Sequence, residues 1–79
     1  MNIRIYTTSW YPDCRQAKRF LEEHHLPYEE FDIDADPRAA EFAMQANHRK
    51  RKVPTFDVEG RAFHCSPFSA HKLKQELGL

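Results

Sequence analysis

The order of hydrophobic and polar positions divides the first half of the chain into four elements. β-branched and aromatic side chains over residues 2–8 predict a first strand. An amphipathic stretch over residues 13–25, with Ala17, Phe20, Leu21 and less strictly His24 on one face, predicts a first helix. An imperfect alternation over 28–33 predicts a second strand. Asp36-Pro37 has the pattern of an N-cap followed by a first helical residue, so a second helix is expected to reach about residue 46.

The second half predicts a hairpin and a last helix. A strand over 53–58 is followed by a turn signal at 59–61 and a return strand at 62–64. Ser66-Pro67 repeats the N-cap signal and predicts that the final helix begins there and runs to about Leu77. The order β-α-β-α-β-β-α predicts an α/β domain with three helices flanking a mixed four-stranded sheet, in which the first two strands are parallel and joined by a right-handed crossover.

Length, charge and hydropathy narrow the class of protein. A chain of 79 residues is expected to form a single domain over 1–79. Twelve basic and twelve acidic residues cancel, so the chain as a whole has no electrostatic preference for nucleic acid. No apolar run approaches the ~20 residues of a membrane span, and two cysteines make no disulfide framework. We expect a cytoplasmic protein with no membrane association.

The chemistry of the chain is concentrated in the turn at residues 10–14. Cys14 lies at the beginning of the first helix, where unpaired N–H groups and the helix dipole favour a thiolate. A redox Cys-x-x-Cys turn would have a second cysteine three positions earlier. That position is Tyr11, whose phenol cannot form a disulfide. Two interpretations of Cys14 stay open: a single reactive thiol, or a small buried side chain.

Cys65 also has two interpretations, since it can fill space at the end of a strand or act as a redox partner of Cys14. A disulfide between them would need Cα atoms within about 7 Å. Cys14, His64 and Cys65 are metal-ligand types, but they lack the paired spacing of a zinc site, so no metal is expected.

Taken together, these segments resemble the glutaredoxin family, and more closely its mycoredoxin-like bacterial branch. The resemblance runs nearly end to end. It is carried by Thr7-Thr8-Ser9-Trp10, the Pro12-x-Cys14 turn, Tyr28 with Asp32-Ile33-Asp34, Ala40-Glu41-Phe42, Val53-Pro54-Thr55 and Glu59-Gly60. It implies a thioredoxin fold in which Pro54 is a cis-proline packed across from the redox turn.

The resemblance also implies the site and its ligands. Position 11 is that of the nucleophile, here substituted by Tyr11, and Cys14 is the resolving or auxiliary cysteine. The substrate-binding residues are expected to be Trp10, Pro12, Arg51, Lys52, Val53, Pro54, Cys65 and Ser66. The co-substrate would be glutathione or a comparable low-molecular-weight thiol, with no tightly bound cofactor. Disulfide-containing proteins would be the partners of a monomeric chain.

Two functions follow from these features, and a third is disfavoured. The first is glutaredoxin-like thiol–disulfide oxidoreduction in redox homeostasis, with activity dependent on Cys14 because of Tyr11. The alternative is a redox-inactive binding module that keeps the same groove. The basic run at residues 48–52 would allow nucleic-acid binding, but it has no interleaved aromatic residues and no recognition-helix pattern. The run is better explained as a solvated loop. It is expected to lie beside the thiol pocket, where its side chains could pair with carboxylates.

Overall fold

The computed structural model describes residues 1–50 and 52–79, and these form the seven expected elements in the expected order. They are β1 (Ile3–Thr7), α1 (Pro12–Glu23), β2 (Glu29–Asp32), α2 (Pro37–Ala46), β3 (Thr55–Val58), β4 (Arg61–His64) and α3 (Ala70–Leu77).

The strands form one mixed sheet in the order β2-β1-β3-β4. β1 pairs in parallel with β2 and antiparallel with β3, where Ile5 is opposite Phe56. The β3–β4 hairpin turns through Glu59 and Gly60, which have φ angles of 53° and 88°. Positive φ at both central residues suits the tight turns that match the twist of the flanking strands. The predicted sheet is therefore confirmed.

The sheet separates two apolar clusters. The larger contains Ile3 and Ile5 from β1 and Phe56 from β3, packed against Leu21 of α1 and Leu73 of α3. Successive side chains of a strand point to opposite faces. Tyr6 accordingly belongs to the second cluster.

The second cluster lies between the sheet and α2. Its buried members are Tyr6, Cys14, Ile33, Ala39, Ala43 and Val53. The Tyr6 ring stacks between Phe31 and Phe42, with centroids 5.1 and 4.6 Å away. The chain thus fills both faces of a four-stranded sheet with fewer than eighty residues.

The prediction that the last helix begins at Ser66-Pro67 is wrong. α3 begins at Ala70, and its N-cap is Ser69, whose hydroxyl accepts a hydrogen bond from the Lys72 N–H at 3.1 Å. The Ser66–Pro67 peptide bond is cis, and the Ser66 hydroxyl contacts another side chain instead of capping a helix. The sequence signal at Ser66-Pro67 does not reveal that the Ser66 hydroxyl is used by Tyr11, or that Ser69 is the cap.

Other boundaries differ by smaller amounts. β1 is one residue shorter at each end than expected, and β3 begins at Thr55 because Val53 and Pro54 precede the ladder. α1 includes Pro12 and ends at Glu23, which leaves His24 exposed and outside the buried stripe.

The corrected beginning of α3 can be tested with single substitutions. We expect Ser69→Ala to lower the free energy of unfolding by about 0.5–2 kcal/mol, the usual cost of losing an N-cap. Ser69→Asp should retain most of the stability, because a carboxylate also accepts from the third N–H of the helix. Urea unfolding followed by circular dichroism measures both. Equal stability of Ser69→Ala and the unsubstituted protein would contradict the assignment of this cap.

Candidate functional site

The turn between β1 and α1 presents two adjacent aromatic side chains. Trp10 is 65% exposed, and its ring meets Tyr11 edge-on with centroids 5.9 Å apart. Tyr11 has an extended backbone and is the N-cap of α1, with Pro12 as the first helical residue. Proline suits this position because its fixed φ matches the helix and its missing N–H costs nothing there. The phenol of Tyr11 therefore occupies the position that the resemblance gives to a nucleophilic cysteine.

A cleft of about 300 Å³ adjoins this turn. We call it the aromatic cleft, and its lining residues are Trp10, Tyr11, Lys52, Val53 and Ser66. The hydroxyl oxygens of Tyr11 and Ser66 are 3.2 Å apart, so one donates a hydrogen bond to the other across the cleft. These five residues were all expected at the site from the sequence, and the structure brings them together.

The other expected substrate-binding residues lie beside the cleft or outside the described part of the chain. Pro54 is buried and follows a cis Val53–Pro54 peptide bond, and its carbonyl accepts a hydrogen bond from the Cys65 N–H at 3.0 Å. Pro12 is exposed on the first turn of α1 and does not line the cleft. The expectation for Arg51 falls outside the described residues.

Cys14 is completely buried, with 0% of its surface exposed. Burial raises the pKa of its thiol, because a thiolate loses hydration in the apolar cluster between the sheet and α2. The nearby polar groups of Thr8 and the charge of Lys18 oppose this shift without cancelling it. Of the two interpretations of Cys14, the structure favours a buried side chain over a reactive thiol.

Cys65 is also fully buried, and its thiol faces the Ser69 carbonyl at 3.6 Å. Both cysteines are free. Cys65 belongs to the cluster that contains α3, whereas Cys14 belongs to the cluster that contains α2. The disulfide considered from the sequence is therefore not formed, and the two thiols are buried in different parts of the core.

Two acidic residues that the sequence interpretation did not assign to the site hold its walls in place. Asp13 accepts a hydrogen bond from the backbone N–H of Phe68 at 3.1 Å, which joins the first turn of α1 to the segment before α3. Asp34 accepts one from the Trp10 indole at 3.0 Å. Their partners are 55 and 24 positions away, so no local sequence signal identifies these contacts.

Asn47 supports the opposite wall. Its side-chain amide is buried and donates to the Ala43 carbonyl at 2.6 Å and to the Thr55 hydroxyl at 2.8 Å. The Thr55 hydroxyl in turn donates to the Lys52 carbonyl at 2.5 Å. This chain of hydrogen bonds connects the end of α2 to the beginning of β3 and fixes the backbone from which Lys52 and Val53 reach the cleft. The sequence analysis did not assign Asn47 a role, because its burial and its contact with Thr55 depend on the tertiary fold.

The described residues contain no candidate cluster of metal ligands and no candidate membrane-spanning helix. Within residues 1–50 and 52–79, no three His, Cys, Asp or Glu side chains cluster closely enough to hold a metal ion. In the same part of the chain, no helix is both long and apolar enough to cross a bilayer.

Comparison with known proteins identifies the family. The family model described as Glutaredoxin matches residues 3–63, which is most of the chain. The chain belongs to the glutaredoxin family. Membership of this family, together with the fold, supports a function of the thiol–disulfide oxidoreductase type. Glutaredoxins act on disulfide substrates and typically use glutathione or mycothiol as the co-substrate.

Individual relatives place this glutaredoxin near the mycoredoxins. It is 36% identical over 75 residues to a Mycobacterium tuberculosis protein provisionally named a glutaredoxin, covering 95% of this chain and 88% of the relative. It is 32% identical over 69 residues to mycoredoxin 1 of Corynebacterium glutamicum, with coverages of 87% and 85%. The crystal structure of the thioredoxin-like protein BC3987 superposes with a TM-score of 0.73 at 32% identity, covering 92% of this chain and 96% of that one. The expected mycoredoxin-like branch and thioredoxin fold are thus confirmed.

The burial of Cys14 predicts slow thiol chemistry. We expect Cys14 of the folded, reduced protein to resist alkylation, and its rate to rise only above the pH of about 8.5 at which a free cysteine ionises. The sign follows from the raised pKa, since the protonated thiol is retained to higher pH in the folded state. Labelling with iodoacetamide from pH 6 to 10, with mass spectrometry to assign each site, measures this.

Tyr11→Cys provides the matched control for that experiment. Its new thiol would lie at the helix N-cap beside the cleft, so we expect rapid labelling with a midpoint below about 8.5. Rapid labelling of Cys14 in the unsubstituted protein, with a similarly low midpoint, would contradict the buried site described above.

Proposed function

We propose that this glutaredoxin binds a low-molecular-weight thiol, or a mixed disulfide of one, in the aromatic cleft without attacking it through a thiol of its own. The observation that carries the proposal is the phenol of Tyr11 at the N-cap of α1, combined with the complete burial of Cys14. A phenol cannot form a disulfide, and a buried protonated thiol is a poor nucleophile. The redox-inactive alternative is therefore the better supported of the two functions expected from the sequence.

The walls of the cleft offer the groups that such a ligand needs. Peptide-like thiols such as glutathione present backbone amides and carboxylates. Val53 would pair with the ligand's backbone, while the Lys52 ammonium would pair with a carboxylate. Trp10 would cover the ligand from the solvent side, since it is the most exposed of the lining aromatics.

The sulfur of the ligand would lie near the paired hydroxyls of Tyr11 and Ser66. These oxygens are 3.2 Å apart, and either hydroxyl can donate, so one O–H remains available to the ligand while the other bonds its neighbour. In this arrangement Tyr11 orients a sulfur atom with which a cysteine would have reacted. The protein would hold a thiol or disulfide for a partner rather than exchange it.

Thiol–disulfide exchange through Cys14 is the second candidate. It is favoured by the position of Cys14 in the first turn of α1, where the helix N-terminus and Lys18 stabilise a thiolate. This chemistry would require the first turn of α1 to open, because the sulfur is fully covered in the closed structure. Both candidates are consistent with a cytoplasmic, monomeric protein, as expected from the sequence.

Binding and turnover separate the two candidates. We expect the unsubstituted protein to bind glutathione disulfide but not to accelerate reduction of a glutathionylated model peptide by reduced glutathione. Tyr11→Cys should gain that activity, because it restores a thiol at the N-cap. Peptide reduction is followed by mass spectrometry, and binding by NMR. Turnover by the unsubstituted protein that is lost in Cys14→Ala would establish the second candidate instead.

Lys52 provides a direct test of the cleft as the binding site. We expect Lys52→Gln to weaken glutathione binding by up to about fivefold, the range of one solvent-accessible ion pair. Lys74→Gln is the matched control, because Lys74 is exposed on α3 and does not line the cleft. An equal loss of affinity in both variants, measured by NMR titration, would show that glutathione binds elsewhere or only through overall charge.

A further inference from the structure

A second cleft lies next to the aromatic cleft, between the end of α2, β4 and α3. Its volume is about 310 Å³, at the lower end of the ~300–1,000 Å³ range of ligand sites. We call it the basic cleft, because five titratable side chains line it: Lys50, Lys52, Lys72, His48 and His64. None of the described residues that line it is acidic.

The lysines of the basic cleft have no carboxylate partner within residues 1–50 and 52–79. The ion pairs in that part of the chain are Arg4–Glu29, Lys18–Glu30 and Arg61–Glu76. Lys72 donates to the His64 carbonyl at 2.7 Å, which fixes its ammonium at the wall and leaves two of its three N–H groups for a ligand. A chain with no net charge has thus concentrated unpaired positive charge in one concave place.

His64 shows the effect of this charge on its surroundings. Its Nδ1 atom is buried and has no hydrogen-bond partner among the described residues. Burial, followed by the charges of Lys72 and Lys52, lowers the pKa of its imidazole. An anion in the cleft would relieve the repulsion that the lysines exert on a protonated His64.

We propose that the basic cleft binds an acidic segment of a protein partner, one that presents two or more carboxylates. Charge complementarity favours this occupant. The basic cleft has three ammonium groups and no carboxylate among its described lining residues, so a ligand with several carboxylates neutralises more of its charge than a ligand with one. The cleft shares Lys52 with the aromatic cleft, so a segment bound here would lie beside the proposed thiol site. The proposal does not require that the thiol site be functional.

A structural role for the same lysines makes a different prediction. Positive charges near the C-terminus of α2 also stabilise that helix through its dipole. If that were their only role, neutralising them would lower stability and leave no binding activity to lose.

The test is an NMR titration of the full chain, at low salt, with an acetylated and amidated hexaglutamate peptide. A peptide of equal length made of glutamine and glycine is the control ligand. We expect hexaglutamate to bind, with shifts at the His64 and Ala62 resonances and a raised pKa of His64, and binding should weaken as salt is added.

Variants then locate the site. Lys50→Gln combined with Lys72→Gln should weaken hexaglutamate binding by about tenfold, from two- to fivefold per exposed pair. Lys74→Gln should not, since it removes a charge from α3 outside the cleft. If the double variant is unstable, Lys50→Gln alone can be used for the binding measurement. Lys50 is exposed, so its substitution should not disturb the packing of the fold.

Three results would overturn the proposal. They are no binding of hexaglutamate at low salt, an equal loss in Lys74→Gln, or displacement of the peptide by inorganic phosphate at equal concentration, which would make the cleft a small-anion site. Glutathione binding should weaken less than hexaglutamate binding in the Lys50 and Lys72 variants, because neither lysine lines the aromatic cleft, so a failure of the thiol-site proposal is recognised separately.

Discussion

The burial of β1 on both faces is the constraint from which the rest of the structure follows. β1 is an inner strand, paired with β2 on one side and β3 on the other. Ile3 and Ile5 are buried against α1 and α3, while Tyr6 is buried against α2. The alternation of side chains along a strand leaves only one register that satisfies both clusters. The direction of β1 is thereby fixed. The turn at residues 10–14 therefore lies at the carboxyl end of this strand, which is where α/β sheets commonly bind ligands.

Helical geometry then places the side chains of Tyr11 and Cys14 in different environments. Tyr11 is the N-cap, outside the helix proper, and its side chain can reach the cleft and Ser66. Cys14 is the third residue of α1, and it turns inward to the cluster between the sheet and α2. The same three-residue spacing that brings two cysteines together in a redox turn here places one polar group at the surface and one thiol in the core. Replacement of the outer residue alone is therefore sufficient to remove the accessible thiol.

The sequence predicted the elements of this fold well, because each has a local signal. Asp36-Pro37 identified the beginning of α2 to the residue, and the five residues that line the aromatic cleft were among those that the family resemblance grouped at one site. The sequence placed the cap of α3 at Ser66 and missed Ser69, because the contact that engages the Ser66 hydroxyl comes from Tyr11, fifty-five positions away. It also could not find the contact of Asp13 with Phe68, which depends on the tertiary fold bringing a carboxylate to a backbone N–H fifty-five positions away.

The described lysines of the basic run lie beside a concavity. His48, Arg49 and Lys50 are exposed, as in a solvated loop, and Lys50 and Lys52 also line the basic cleft, whose opposite wall includes Lys72 of α3. Bringing like charges together costs free energy, and natural folds reduce that cost with carboxylates. None of the described residues that line the basic cleft carries a carboxylate. Lys52 lines both clefts, and the three N–H groups of its ammonium can donate to a ligand in either one. An anionic ligand in either cleft would reduce the repulsion among the lysine ammonium groups that line both clefts. The two clefts therefore share one electrostatic environment, although most of their lining residues differ.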